Sequence, residues 1–261
     1  RADRAEPSRL VAPAWTAALM ADAFRLIGTP RFGGILVVSD HASNHVPDDI
    51  DLGIAPDLLT QHIAVDIGVA EVGALMAQRP GCAAFQGGVS RLVCDFNREE
   101  HAPGVVPIAS DGHAVPGNLL DHAGHVARLE RFYHPYHAAL SALLDDCPPA
   151  LILSLHSFTP CLASHPDEPR PWHCGVLYNA DERGAKLALR LLGEEEGLIV
   201  GDQQPYSGRL LNATMNRHAE AEGRPYVGIE VRQDLIADAR GQAEWAERLT
   251  RLCNRIALEL T

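Results

Sequence analysis

The chain has 261 residues, and its 34 acidic side chains outnumber 22 Lys and Arg to give a formal net charge of -12. That balance disfavours nucleic acid or an anionic membrane as the main partner and leaves a small anionic substrate dependent on a local cluster of arginines. No repeat or linker divides the sequence, so residues 1–261 are expected to form a single domain. No apolar run reaches the roughly 18 residues that span a bilayer, and the six cysteines lack C-x-x-C spacing. Residues 1–6 carry no hydrophobic signal region behind a basic end, and together these features predict a reduced, cytoplasmic protein.

Residues 14–27 read as a short amphipathic helix closed by Gly28 and Pro30, and residues 35–39 as a buried strand. Apolar positions at helical spacing predict a helix over residues 56–78, with Asp66 interrupting its inner face. Strands are expected at residues 82–85 and 92–96, followed by a long irregular loop over residues 99–118 that rims a pocket. A helix over residues 119–145 should kink at Pro135. Strands at 151–155, 173–178, 198–200 and 226–231 alternate with helices at 183–195, 211–222 and 241–260. Strands alternating with helices predict an α/β fold, a three-layer sandwich with a mixed central sheet.

Two strands end in histidine. The run Ile35-Leu36-Val37-Val38-Ser39 stops at Asp40-His41, and Leu151-Ile152-Leu153-Ser154-Leu155 stops at His156. Ligands bind beyond the carboxyl ends of strands in open α/β sheets, so the two imidazoles are candidates to meet there as zinc ligands. A catalytic zinc takes three protein ligands, and two residues compete for the third place. Asn44 lies three positions after His41, and Asp66 puts a carboxylate where its charge requires a partner; of the two, a carboxylate binds zinc more strongly. Glu230 is forced into the apolar strand Gly228-Ile229-Glu230-Val231. Burial there raises its pKa as a general base requires, unless an arginine such as Arg232 pairs with it. Arg91 and Arg98 flank residues 92–96, placed for one to fork onto a substrate carboxylate and the other to stabilise an oxyanion. The pairs His122 with His125 and His134 with His137 share helical faces but lack an evident third ligand, which assigns them to packing or the surface.

Five segments then resemble the N-formylglutamate amidohydrolase family: residues 39–47, Asp66-Ile67-Gly68-Val69, residues 90–98, Leu155-His156-Ser157-Phe158 and Gly228-Ile229-Glu230-Val231. That family looks like a distant relative of the zinc carboxypeptidases and aspartoacylases, whose fold is a mixed sheet with helices on both faces. Their first zinc motif, H-x-x-E, is matched by His41 but has Asn44 in place of the glutamate, while their later zinc histidine is matched by His156. The resemblance implies that Asn97 and Arg98 of the D-x-N-R motif grip the substrate's carboxylate and that Glu230 stands for the catalytic glutamate. Arg209 is a further candidate for a side-chain carboxylate, because N-formylglutamate has two.

The implied activity is metal-assisted hydrolysis of the amide of a small anionic N-formyl or N-acyl amino acid, with a divalent metal, zinc foremost, as cofactor. In it Glu230 handles the proton and Arg91 stabilises the oxyanion. A serine mechanism fails because Ser39, Asp40 and His41 are consecutive on an extended segment and their side chains alternate faces. The rival from a different class is a non-catalytic small-molecule or metal-binding protein on the same scaffold, which loss of H-x-x-E would permit; a buried Glu230 argues against it.

Overall fold

The computed structural model describes residues 22–261. Its centre is a seven-stranded mixed sheet. In chain order the strands are β1 (Phe24–Gly28), β2 (Ile35–Ser39), β3 (Cys82–Gly87), β6 (Leu151–Phe158), β7 (Cys174–Leu177), β8 (Val200–Asp202) and β9 (Tyr226–Arg232), with a separate ribbon of β4 (Ala109–Ser110) and β5 (His113–Ala114). The spatial order is β1-β3-β2-β6-β9-β7-β8. Strands β3, β2, β6 and β9 run parallel, whereas β1 and β7 are antiparallel to β3 and β9.

Period-two alternation distributes the sheet's side chains between two cores. Leu36 and Val38 join Phe85, Ile152 and Tyr226 on one face. Val37 joins Leu153, Val227 and Ile229 on the other. The first face is covered by the helical run from α2 (His122–Arg128) to α3 (His134–Asp146), through Leu129 and Phe132 of the turn that joins them and Tyr136 and Leu140 of α3. The second face is covered by α1 (Val69–Met76), α4 (Arg183–Gly193) and α6 (Ala239–Leu260) through residues such as Val72, Ala188 and Leu249. A mixed sheet with helices on both faces is the arrangement anticipated from the sequence. No helix among the described residues is long and apolar enough to cross a membrane.

Several elements differ from expectation. Residues 14–21 lie outside the described residues, and the end of that segment is strand β1, where Phe24 stacks on Phe85 with centroids 4.7 Å apart. Residues 92–96 are buried but form a turn rather than a strand. Side chains replace a strand partner there: Asn118 Nδ2 donates to the Leu92 carbonyl at 2.7 Å and Arg128 Nη1 to the Val93 carbonyl at 3.0 Å. Between α2 and α3 lies a π-helical turn, Leu129–Tyr133, next to Pro135, whose missing N–H removes a donor from the helical ladder. The short strand near residue 200 sits two positions later than its apolar residues suggested, at Val200–Asp202.

The helix anticipated over residues 56–78 is broken into a 3₁₀ turn (Pro56–Thr60) and α1, with Asp66 in the turn before α1. Gly68 makes the break, as the N-cap of α1 at φ 81°, a region that favours glycine. A Cβ at Gly68 would collide with the Ile236 carbonyl. Gly68→Ala should therefore destabilise the fold by more than about 2 kcal/mol, combining left-handed strain with a backbone clash. Chemical denaturation reads this directly, and a loss under about 0.5 kcal/mol would show that the turn re-forms without glycine.

Candidate active site

The parallel strands β2, β6 and β9 deliver their polar residues to one end of the sheet. His41 follows the end of β2, His156 lies near the end of β6, and Glu230 is its register neighbour on β9. Because Leu155 and Ile229 face the second core, alternation turns His156 and Glu230 to the opposite face. Asp66 arrives from the turn before α1, whose backbone is tied to the strand end by an Asp66 N–H to His41 carbonyl bond of 2.9 Å. The irregular segment that follows β3 adds Arg91, Asp95, Asn97 and Arg98.

These side chains interlock. Asp66 Oδ2 lies 3.0 Å from His156 Nδ1 and 3.4 Å from His41 Nδ1, and Asp66 Oδ1 accepts from Arg91 Nη1 at 3.1 Å. Arg91 Nη2 reaches Asp95 Oδ2 at 3.1 Å, so its guanidinium bridges two carboxylates. On the far side of His41, Nε2 meets Asp95 Oδ1 at 2.7 Å. On the far side of His156, Nε2 faces Asp40 Oδ2 at 3.5 Å, too long for a hydrogen bond, and both atoms are buried without a partner among the described residues.

Electrostatics follow from this packing. Burial works to raise the pKa of Asp66, but His41, His156 and Arg91 overcome it and hold the carboxyl far below the usual range. For His41, burial and Arg91 oppose a positive charge, yet Asp95 and Asp66 raise its pKa; for His156, Asp40 and Asp66 likewise outweigh burial. Glu230 behaves oppositely. It is 7% exposed, its Oε2 has no hydrogen-bond partner among the described residues, and burial pushes its pKa up to about 7. The alternative of an ion pair with Arg232 is not what forms, since Arg232 pairs with Asp234 at 2.7 Å.

The donor chemistry fits a divalent cation. His41, Asp66 and His156 are buried, and each offers one ligand atom within 4.8 Å of the others'. With the two imidazoles neutral, as metal ligation requires, the three carboxylates Asp40, Asp66 and Asp95 outweigh the one guanidinium, so the cluster calls for positive charge. Both rings also present one nitrogen to Asp66 and the other to an outer carboxylate, as metal-bound histidines do.

A cavity of about 300 Å³ opens on this group. His41, Asp66, Arg91, Asn97, Arg98, His156 and Glu230 all line it. Asn97 Oδ1 accepts from the Thr214 N–H at 3.1 Å, which leaves the N–H groups of its Nδ2 for other partners. Two anticipated residues are not brought to the cavity: Asn44 and Arg209 are exposed and neither lines it. Asn44 lies beyond the end of β2, where the chain has turned outward, and Arg209 sits on an exposed loop. The opposite wall holds residues the sequence did not flag. Asp111, at φ 40°, accepts from His62 Nε2 at 2.9 Å and from the Ser164 N–H at 3.0 Å, which joins the β4–β5 ribbon to the loop after β6. Tyr206 also lines the cavity, its hydroxyl accepting from Arg170 at 3.0 Å. Only adjacency to His41 or membership of a turn-rich loop could have signalled Asp40, Asp111 or Tyr206. Of the paired helix histidines, His134 meets Glu100 at 3.0 Å near the surface, while His137 is buried between His218, at 2.9 Å, and the Phe96 carbonyl, at 3.1 Å.

No curated protein matches the chain. The gene product Atu2144 from Agrobacterium tumefaciens has a similar structure with a TM-score of 0.84 and 30% identity, covering 91% of this chain and 96% of that one. The N-formylglutamate amidohydrolase from Ralstonia eutropha JMP134 shares the fold with a TM-score of 0.71 at 22% identity, covering 92% of this chain and 98% of that one. Residues 33–237 match the family described as N-formylglutamate amidohydrolase. With most of its length matched, the chain belongs to the N-formylglutamate amidohydrolase family of hydrolases.

Proposed function

We propose that this protein is a metal-dependent amidohydrolase that cleaves the amide of a small anionic N-formyl or N-acyl amino acid, with N-formylglutamate, giving glutamate and formate, as its leading substrate. The observation that carries this reading is Glu230, a buried carboxyl whose Oε2 has no hydrogen-bond partner among the described residues, beside the His41, Asp66 and His156 group in one cavity. Two imidazoles and a carboxylate favour zinc. The chemistry supplied by a bound zinc ion is Lewis-acid polarisation of the acyl oxygen and acidification of water.

The chain's own residues do the rest. Arg98 and Asn97 grip the carboxylate of the substrate, which sets the scissile amide against the His41 and His156 wall. Glu230 takes the attacking water's proton at its free carboxylate oxygen and returns it to the leaving amine nitrogen. A cation held by His41, Asp66 and His156 would lower the pKa of Glu230 from about 7 and favour its ionised form. Arg91 anchors Asp66 and Asp95, and the donors it does not spend on them stabilise the developing oxyanion. A neighbouring reading, removal of another acyl group from a monocarboxylate amino acid, is favoured by the exposed Arg209, which leaves Arg98 to bind a single carboxylate. Six free thiols, four of them buried, support a reducing, cytoplasmic setting. Metal analysis together with formate release from a panel of N-acyl amino acids tests the reading as a whole.

Four substitutions probe its parts. Asp66→Ala should weaken zinc affinity by about tenfold or more, and Asn44→Ala by less than about twofold, because of these two residues Asp66 alone puts charge between the imidazoles. The reverse order in a zinc titration would make Asn44 the third ligand. Arg98→Lys keeps the charge but loses the planar fork, so kcat/KM should fall about tenfold or more for acidic N-acyl amino acids and little for amides without the carboxylate. Equal losses on both would remove the role from Arg98.

Glu230→Gln keeps the shape of the side chain without its basicity. Zinc should still bind while kcat falls by about 10²–10⁴-fold. Near-wild-type turnover at verified metal content would transfer the base to another group.

A further inference from the structure

Behind the cavity lies a buried polar chain that the reaction above does not use. Asp40 is fully buried, and both hydroxyls that reach it choose one oxygen: Tyr136 donates to Oδ1 at 2.7 Å and Thr214 at 2.9 Å. Its other oxygen is thereby turned to His156, where Oδ2 and Nε2 face each other across 3.5 Å and neither has a hydrogen-bond partner among the described residues. Burying two polar atoms unpaired is costly. The pair is satisfied when the imidazole proton sits on Nε2 and the two atoms close by a few tenths of an ångström, which leaves the Nδ1 lone pair on the Asp66 side.

Thr214 is itself fully buried, in the first turn of α5 (Ala213–His218), where a backbone N–H lacks a helical acceptor. That N–H donates to Asn97 Oδ1 at 3.1 Å. Its hydroxyl also lies 3.2 Å from the Phe96 carbonyl, but the shorter contact is to the charged Asp40. One residue therefore touches the carboxylate behind a candidate metal histidine with its side chain and a candidate substrate-binding amide with its backbone.

We propose that Thr214 is a positioning residue: through Asp40 it fixes the tautomer and direction of His156 toward the metal, and through Asn97 it aims the Nδ2 donors at the substrate. The inference rests on the metal reading of His41, Asp66 and His156. Its two arms separate under mutation, because Thr214→Val removes the hydroxyl and keeps the N–H.

The test is zinc affinity, measured by competition with a chromophoric chelator on metal-stripped full-length protein, beside KM at saturating zinc. Thr214→Val should raise the zinc Kd by about fivefold, below the roughly 10- to 100-fold cost of losing an outer partner of a metal histidine outright, because Asp40 remains and keeps Tyr136. KM should stay within about twofold, since the Asn97 arm survives, and Thr214→Ser should restore zinc affinity to within about twofold of wild type. If Thr214→Val does not fold, Tyr136→Phe removes the other hydroxyl from Oδ1 and should weaken zinc in the same direction. A variant that binds zinc as tightly as a zinc-binding wild type would overturn the role of Thr214 alone, as would a serine variant as weak as the valine one. A wild type that binds no zinc would overturn the metal reading and this inference with it.

Discussion

A carboxylate buried to 3% exposure must be met by positive charge, and the arrangement of the whole site follows from how Asp66 meets that condition. Its two oxygens are shared among His41, His156 and Arg91, which belong to different parts of the chain. Each partner then needs its own counterweight. Asp95 faces His41 and Arg91 together, and Asp40 lies behind His156. The result is a closed alternation of acids and bases in which no single member can be removed without leaving a buried charge unbalanced. A divalent cation between the imidazoles would enter this alternation without disturbing its outer ring.

The sheet explains how such a cluster can be assembled. Parallel neighbours present register-matched residues side by side, so placing His156 opposite Glu230 puts a ligand candidate and a base candidate on one face. Apolar neighbours one position earlier, Leu155 and Ile229, are buried on the other face and hold the register, because a slip by one residue would exchange core for cavity. Strand β7 turns antiparallel to β9, and the segments that close the cavity come from the turn before α1, the stretch after β3 and the loops around Asp111 and Ser164. Rigid strands carry His156 and Glu230, while irregular chain carries the groups proposed to meet the substrate.

Legibility in the sequence follows the same division. The strands Ile35–Ser39, Leu151–Phe158 and Tyr226–Arg232 were visible as short apolar runs interrupted by a polar residue, which also exposed His41, His156 and Glu230. Residues 92–96 read equally well as a strand, since periodicity cannot report that Asn118 and Arg128 would satisfy their carbonyls. The helix over residues 56–78 was overextended because its apolar spacing continues through the break that Gly68 imposes, and only the approach of Ile236, far away in sequence, shows why glycine is needed there. Arg209 lay in the right kind of loop, yet nothing local fixes which way a loop arginine points. Thr214 carried no signal at all: its partners, Asp40 and Asn97, lie more than a hundred residues away.

Asn44, which stands where an H-x-x-E motif would carry glutamate, illustrates what a coordination sphere demands of a chain. A metal requires donor atoms at given points in space, with their charge balanced, and places no condition on where in the sequence they originate. An H-x-x-E motif supplies two donors from one short segment. Here the segment after His41 turns outward and leaves Asn44 exposed, while Asp66 brings an anionic oxygen to within 3.4 Å of His41 Nδ1 from a separate turn. The hydrogen bond from Asp66 N–H to the His41 carbonyl pins that turn to the strand end. A missing motif residue is then weak evidence against the proposed metal site, because the fold brings in Asp66, which can supply the charge that position 44 lacks.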